Sequence, residues 1–318
     1  MTMDQSQWAG VFPAITTPFD DDGLVDHAAL AAHVAWLAEA GCAGIVTGGS
    51  LGEAATLTFE EKVSINATCV RALDGRVPVV AGIAGLATAE CVALARAAEQ
   101  AGCDGLMALP AYVYNSGDWR ETRAHYGAII GATPLSCMLY NNPIAYGTDV
   151  RAEQLAELAD AHDNLHAVKE SSGDVRRVSA VRAVLGDRLA VFAGLDDMIL
   201  EAIGVGAVGW IAGLVNALPY ESVALVELAR AGRWEEATAI YHWFLPLLRM
   251  DTVPKFVQLI KLVQAEVGRG SERVRAPRLA LAGAERNEAL ALIQERLACR
   301  PALPALASLT GSTTAPTA

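Results

Sequence analysis

Lysine is scarce in this sequence: four lysines, at 62, 169, 255 and 261, stand among 24 basic residues, and the other 20 are arginines. Positive charge is in deficit overall, with 24 Lys and Arg against 36 Asp and Glu and a net charge of −12. No basic run offsets that balance, and the densest basic pair is Arg176-Arg177, so a nucleic-acid partner or an acidic membrane surface is excluded. Long apolar runs are missing as well. The stretches 77–87 and 202–218 are broken by glycines, short of the roughly 18 uninterrupted residues that span a bilayer. The opening MTMDQSQWAG lacks the basic region and apolar run of a secretory signal, so a cytoplasmic protein without membrane contact is expected. The six cysteines (42, 69, 91, 103, 137 and 299) include no CxxC, and the six histidines (27, 33, 125, 162, 166 and 242) no HxH. A disulfide framework, structural zinc and a metal-dependent mechanism are therefore not expected. No GxGxxG follows the first apolar run, which speaks against dinucleotide binding.

What is abundant is apolar residues, 53% of the chain against 19% charged, ample for a large core. Eight short apolar runs (11–15, 43–47, 77–81, 104–109, 135–140, 165–169, 189–193 and 207–212) alternate with amphipathic stretches such as 26–40, 59–73, 88–101, 151–162 and 174–185. Strands this apolar need both faces covered, as in a parallel sheet clothed by helices. An internal echo supports the repeat: EAGCAGIV (39–46) returns as QAGCDGLM (100–107) and again, varied, as IGVGAVGWI (203–211). Each reads as a helix end, a glycine in the left-handed region, and a new strand. Eight such units predict an α/β fold, a (β/α)8 TIM barrel over 8–216. Helical patterns at 219–230, 233–249, 254–267 and 287–298 predict an appended C-terminal helical region over 217–299. The tail, 300–318, is rich in Pro, Ala, Ser and Thr and reads as disordered.

A barrel of this kind carries its chemistry at the C-terminal ends of its strands. Those ends read TGGSLGE (47–53), LPAYVY (109–114), YNNPIAYG (140–147), Lys169-Glu170-Ser171-Ser172 and AGLDD (193–197). Lys169 closes the buried run His166-Ala167-Val168, where a charge must be paired or neutralised. Desolvation disfavours its ammonium form and releases an amine able to attack a ketone or aldehyde. Pairing with Glu170, or reaching out to the rim, would account for it equally. Tyr140, at the end of the neighbouring strand, could shuttle the protons of imine chemistry, or its hydroxyl could simply be wet. GGSLGE offers backbone N–H groups and the Ser50 hydroxyl for a carboxylate, or is an ordinary glycine-rich turn. Of Asp196 and Asp197, at least one is expected to cap the following helix. Glu53 is expected to anchor its turn, and Glu170 to point away from the barrel axis.

Taken in order, GVFPAITTPF (10–19), GSLGEAATLT (49–58), YNNPIAYG, VKESSGD and GLDD resemble the dihydrodipicolinate synthase/N-acetylneuraminate lyase family of class I aldolases. The resemblance implies a barrel with C-terminal helices, assembled as a homotetramer, a dimer of dimers. It implies a Schiff base between Lys169 and pyruvate or a longer 2-oxo acid, with no other cofactor. Tyr140 would transfer protons, and Ser50 would link it to a second tyrosine crossing the dimer interface, Tyr112 or else Tyr114. Gly49, Ser50 and Leu51 would hold the substrate carboxylate, with Ile211, Ala145 and Gly194 around the imine. Two positions depart from the family pattern. Leu51 stands where a second hydroxyl residue is common, and Ala145 where true dihydrodipicolinate synthases carry an arginine for the carboxylate of aspartate semialdehyde. Losing such a partner is not conservative. The expected function is therefore a Schiff-base lyase of 2-oxo acids, by aldol cleavage, dehydration or deamination. Synthase activity on pyruvate and aspartate semialdehyde, with Arg120, Arg176 or Arg177 swinging in, is the second possibility, and a non-catalytic 2-oxo-acid-binding barrel the third.

Overall fold

The computed structural model describes residues 3–111 and 116–304. Eight parallel strands alternate with helices: β1 (Gly10–Pro13), α1 (His27–Glu39), β2 (Ile45–Thr47), α2 (Phe59–Leu73), β3 (Val79–Ile83), α3 (Thr88–Gln100), β4 (Gly105–Ala108), α4 (Trp119–Ile130) and β5 (Ser136–Asn141). After the one-turn α5 (Pro143–Tyr146) come α6 (Ala152–Ala161), β6 (Leu165–Glu170), α7 (Arg176–Leu185), β7 (Ala190–Ala193), α8 (Ile199–Gly204) and β8 (Gly209–Ala212). The strands pair in the order β1-β8-β7-β6-β5-β4-β3-β2. Closure comes from the Ala14–Val46 bridge and from the Ala43 N–H donating to Val11 O at 2.8 Å. The fold is the (β/α)8 barrel.

The echoed segments behave as their sequence implies. Gly41, Gly102 and Gly206 have φ of 95°, 90° and 107°, a region that L side chains avoid. The residue after each donates its N–H to the carbonyl five residues back, Leu37, Ala98 or Ala202, closing the helix end.

Inside the barrel, Trp8, Phe12 and Phe192 fill the lower end, Phe12 and Phe192 meeting edge to face at 5.5 Å. Gly209 makes room for this stack: a Cβ there would lie 2.6 Å from Phe192 Cζ and 2.7 Å from Gly10 O. Gly209→Ala is expected to destabilise the protein by about 1–3 kcal/mol through overpacking. Urea unfolding would read this as a lower midpoint at unchanged m-value.

One irregularity decides the geometry above. The β5–β6 register shifts between Cys137 and Met138, whose partners are Leu165 and Ala167, so His166 is an extra residue. Its Nδ1 lies 2.7 Å from Ser136 Oγ, which also accepts from Trp8 Nε1 at 2.7 Å. Beyond this bulge Tyr140 pairs directly with Lys169.

After β8 the chain continues through α9 (Pro219–Arg230), α10 (Trp234–Leu248), α11 (Phe256–Glu266) and α12 (Gly283–Ala298). The helix α9 packs on β1, beside α8 and α10, and completes the helical ring. It is buried on both sides, which gives it nine buried residues of 12. Arg300 is ion-paired to the buried Glu221, and Leu303 packs against the core, while 305–318 lie outside the described residues. No helix among the described residues is long and apolar enough to cross a membrane.

Candidate active site

Alternation along β6 turns Ala167 inward and Val168 toward the helices, so Lys169 faces the barrel interior. It is 7% exposed, and its Nζ lies 4.1 Å from the centroid of the Tyr140 ring. No hydrogen bond or ion pair reaches that nitrogen among the described residues. Glu170 is not its partner: turned to the other face, its carboxylate accepts from Asn141 Nδ2 at 2.9 Å and from Ser172 N at 2.6 Å. Gly194, at the end of β7, lies flat against the lysine, and a Cβ there would sit 2.8 Å from Lys169 Cε. Ile211 faces inward from β8, 1% exposed.

Tyr140 is 5% exposed, and its hydroxyl accepts from Asn142 Nδ2 at 2.8 Å. Its own carbonyl accepts from the Tyr126 hydroxyl at 2.9 Å, which pins the strand end. The Ser50 hydroxyl is not bonded to Tyr140. It is hydrogen-bonded to the hydroxyl of Tyr146, whose ring stands 6.0 Å from that of Tyr140 at 78°. Burial, with Tyr140 alongside, pushes the Tyr146 phenol up to about 12, while the Ser50 bond pulls the other way. Tyr146 therefore stays protonated near neutrality and can act as a donor. Its only signal in the sequence is its place as the third residue after Asn141-Asn142-Pro143. What brings it to Ser50 is the one-turn α5, with Pro143 at its start, Asn142 Oδ1 capping Ala145 N at 3.0 Å, and Gly147 at φ 70° ending it. Tyr146→Phe should lower turnover about 10²-fold with little change in melting temperature. Turnover within threefold of the parent would remove Tyr146 from the proton path.

The turn after β2 carries Gly49, Ser50 and Leu51. The N–H groups of Ser50 and Leu51 meet no acceptor among the described residues and are available to a carboxylate. Leu51 contributes backbone only, because its side chain, 3% exposed, is packed in the hydrophobic core. Glu53 anchors the turn through a distant partner. It is fully buried at φ 58°, ion-paired at 2.6 Å to Lys261 of α11 and accepting from Arg275 N at 3.0 Å. Lys261 also donates to Thr17 O at 2.8 Å and Arg273 O at 2.6 Å. Burial lowers its pKa, and Glu53 opposes the shift.

Neither acidic residue after β7 caps a helix by its side chain. The fully buried Asp196 accepts instead from Trp210 Nε1 at 3.1 Å, Gly213 N at 3.1 Å and Leu214 N at 2.8 Å. Burial raises its carboxyl to about 6, against those N–H groups and Lys169. Asp197 lies 3.8 Å from Arg249. Ala145 sits on the exposed side of α5, and Ile144 beside it is 68% exposed. Each arginine considered as a replacement for the missing one is ion-paired elsewhere: Arg120 to Asp118, Arg176 to Asp174 and Arg177 to Asp149. Tyr112 and Tyr114 lie outside the described residues. Among the described residues, no three His, Cys, Asp or Glu side chains are grouped to hold a metal ion.

Residues 7–296 match the model of the dihydrodipicolinate synthetase family. The chain belongs to that family. It is accordingly a class I aldolase-type lyase of that family. Among this family's curated members, the 4-hydroxy-tetrahydrodipicolinate synthase of Geotalea daltonii is 33% identical over 290 residues, 90% of this chain and 98% of that protein. The protein of the same name from Haloarcula marismortui is 35% identical over 269 residues, 84% of this chain and 87% of that one. Among solved structures, dihydrodipicolinate synthase from Aquifex aeolicus superposes with a TM-score of 0.86 at 27% identity, covering 91% of this chain and 98% of that one. YagE, a prophage protein of the family from E. coli K12 solved with pyruvate, gives a TM-score of 0.86 at 28% identity over 91% of this chain and 99% of its own.

Proposed function

We propose that this enzyme is a lyase that forms a Schiff base between Lys169 and pyruvate or a longer 2-oxo acid, without another cofactor. The observation that carries the reading is the pairing of Lys169 with Tyr140 across β5 and β6, the lysine inward, buried and without a hydrogen-bonded acceptor. The amine adds to the C2 carbonyl and water leaves, giving an imine whose protonated form accepts the electron pair of a breaking bond at C3. The free N–H groups of Ser50 and Leu51 suit the C1 carboxylate. Tyr140 faces the amine, and Tyr146 with Ser50 supplies a protonated hydroxyl relay beside it. The product of cleavage or of elimination then depends on what C4 carries.

A second reading, 4-hydroxy-tetrahydrodipicolinate synthase, is favoured by the names of the curated relatives. It lacks the side chain that would hold aspartate semialdehyde, since Ala145 is exposed and the candidate arginines are paired elsewhere. Two measurements separate the readings. Borohydride reduction with pyruvate should add one pyruvate-derived mass to the Lys169 peptide. Turnover of pyruvate with aspartate semialdehyde should be absent, and turnover at ordinary enzyme rates would establish the synthase.

A further inference from the structure

Tyr140 and Asn142 stand two residues apart where β5 ends. Pro143 keeps the residue before it out of the helical region, and Asn142 has φ −145° and ψ 80°. Side chains at i and i+2 of an extended chain share a face, so the Asn142 amide rises beside the Tyr140 hydroxyl. Asn142 is buried, and both ends of its amide are engaged. Its Oδ1 accepts from Ala145 N at 3.0 Å. Only the oxygen of an amide can meet a backbone N–H, and this fixes which way the group points. The Nδ2 end therefore faces the Tyr140 oxygen and donates to it at 2.8 Å. A phenol that accepts this bond still has its own proton to give, and no residue among those described accepts it. Tyr146, the neighbouring phenol, meets the Ser50 hydroxyl and no amide. Burial, with Tyr140 alongside, pushes it up to about 12, so Tyr146 holds its proton while Tyr140 is the phenol with a built-in amide donor.

We propose that Asn142 is a positioning residue: it aims the Tyr140 proton at the substrate and holds the phenolate left when that proton is given. The proposal rests on the Schiff-base reading and adds the residue that orients its proton transfers. Lys169 Nζ lies 4.1 Å from the Tyr140 ring centroid, so the carbon that the amine binds stands beside the same ring. Tyr140 O–H protonates the departing hydroxyl of the carbinolamine. The C–O bond breaks, leaving water, a protonated imine and the phenolate. The phenolate then takes a proton from C3 of the imine, the C–H electron pair becomes the enamine double bond, and the tyrosine is restored. Negative charge sits on the phenolic oxygen only between these two steps. There the Asn142 N–H makes a charge-assisted bond, stronger than the bond it makes to the neutral phenol. The amide thus favours the reacting state over the resting one.

The test uses the full chain with pyruvate alone, because an enamine exchanges its C3 protons with solvent. In D2O, deuterium uptake at pyruvate C3, followed by NMR, reads the proton transfer. The pyruvate concentration giving half-maximal borohydride trapping on Lys169 at equilibrium reads imine formation separately. Asn142→Asp keeps the size and the cap on Ala145 N but replaces the donor by an acceptor, and Asn142→Ser keeps the cap without reaching Tyr140. Both should exchange about thirtyfold more slowly than the parent, the loss of one charge-assisted hydrogen bond, with half-maximal trapping within about threefold. In a Tyr140→Phe background, adding Asn142→Asp should change the residual exchange by less than about twofold, since the amide acts through the phenol. Asn142→Asp exchanging within about threefold of the parent, or losing as much again in the Tyr140→Phe background, overturns the proposal and leaves the Schiff-base reading standing. A slower exchange matched by an equal weakening of trapping overturns it too. No pyruvate adduct on Lys169 of the parent overturns both.

Discussion

Lys169→Met is expected to abolish the borohydride adduct with pyruvate and to lower turnover by roughly four orders of magnitude, while the protein melts no lower than its parent. The catalytic half of this expectation follows from covalent chemistry: without the amine no imine forms, and no neighbouring nitrogen substitutes for it. The stability half follows from the surroundings. Lys169 is 7% exposed and lies over the Tyr140 ring, a contact worth about 0.5–2 kcal/mol when desolvated. Against that stands an amine buried without a hydrogen-bonded acceptor, and methionine of similar length removes this penalty and packs on the same ring. A function-bearing position should therefore be neutral or gain stability on losing its function. Thermal unfolding and mass spectrometry of the reduced complex check the two halves separately. A Lys169→Met protein that still turns over within tenfold of the parent would sink the imine mechanism.

The largest loss of stability is expected from Lys261→Met. Removing one member of a buried ion pair leaves the other charge uncompensated, typically at about 3–5 kcal/mol. Glu53 would keep only Arg275 N at 3.0 Å and the more distant Arg278 at 3.6 Å. The melting temperature should fall by roughly 10 °C for a chain of this size. Lys261→Met combined with Glu53→Gln should recover part of the loss, because the stranded charge is gone. Activity should fall in both variants, since the same pair holds the turn that presents Ser50 to Tyr146. Calorimetry of the single and double variants, with turnover measured well below the transition, tests this. A single variant that melts within 2 °C of the parent (less than about 1 kcal/mol) would show that the C-terminal region does not secure the turn.

Local pattern made the barrel legible. Period-two alternation is enough to put Lys169 inward and Glu170 outward on β6, and helix-end glycines mark three of the strand starts. What local pattern could not show are contacts made across long separations in sequence. Asp196 reads as a helix cap because aspartates beside a helix start usually are; its partners Trp210, Gly213 and Leu214 belong to the next strand and turn. Glu53 reads correctly as an anchor, but its partner lies 208 residues away. The serine–tyrosine link expected between Ser50 and Tyr140 goes to Tyr146 instead, since a one-turn helix after proline re-aims that side chain. The packing of α9 is hidden for a related reason: it is apolar on nearly every side, and sequence alone does not say which layer each side meets.

Scarce lysine has a practical consequence for handling the protein. Lys62, Lys169 and Lys261 are each at most 9% exposed at the side chain or residue, whereas the Lys255 side chain is 51% exposed. Amine-reactive supports and cross-linkers would thus find one accessible ε-amine, on the C-terminal region, besides the α-amine. Attachment through it should tether every molecule in nearly the same orientation.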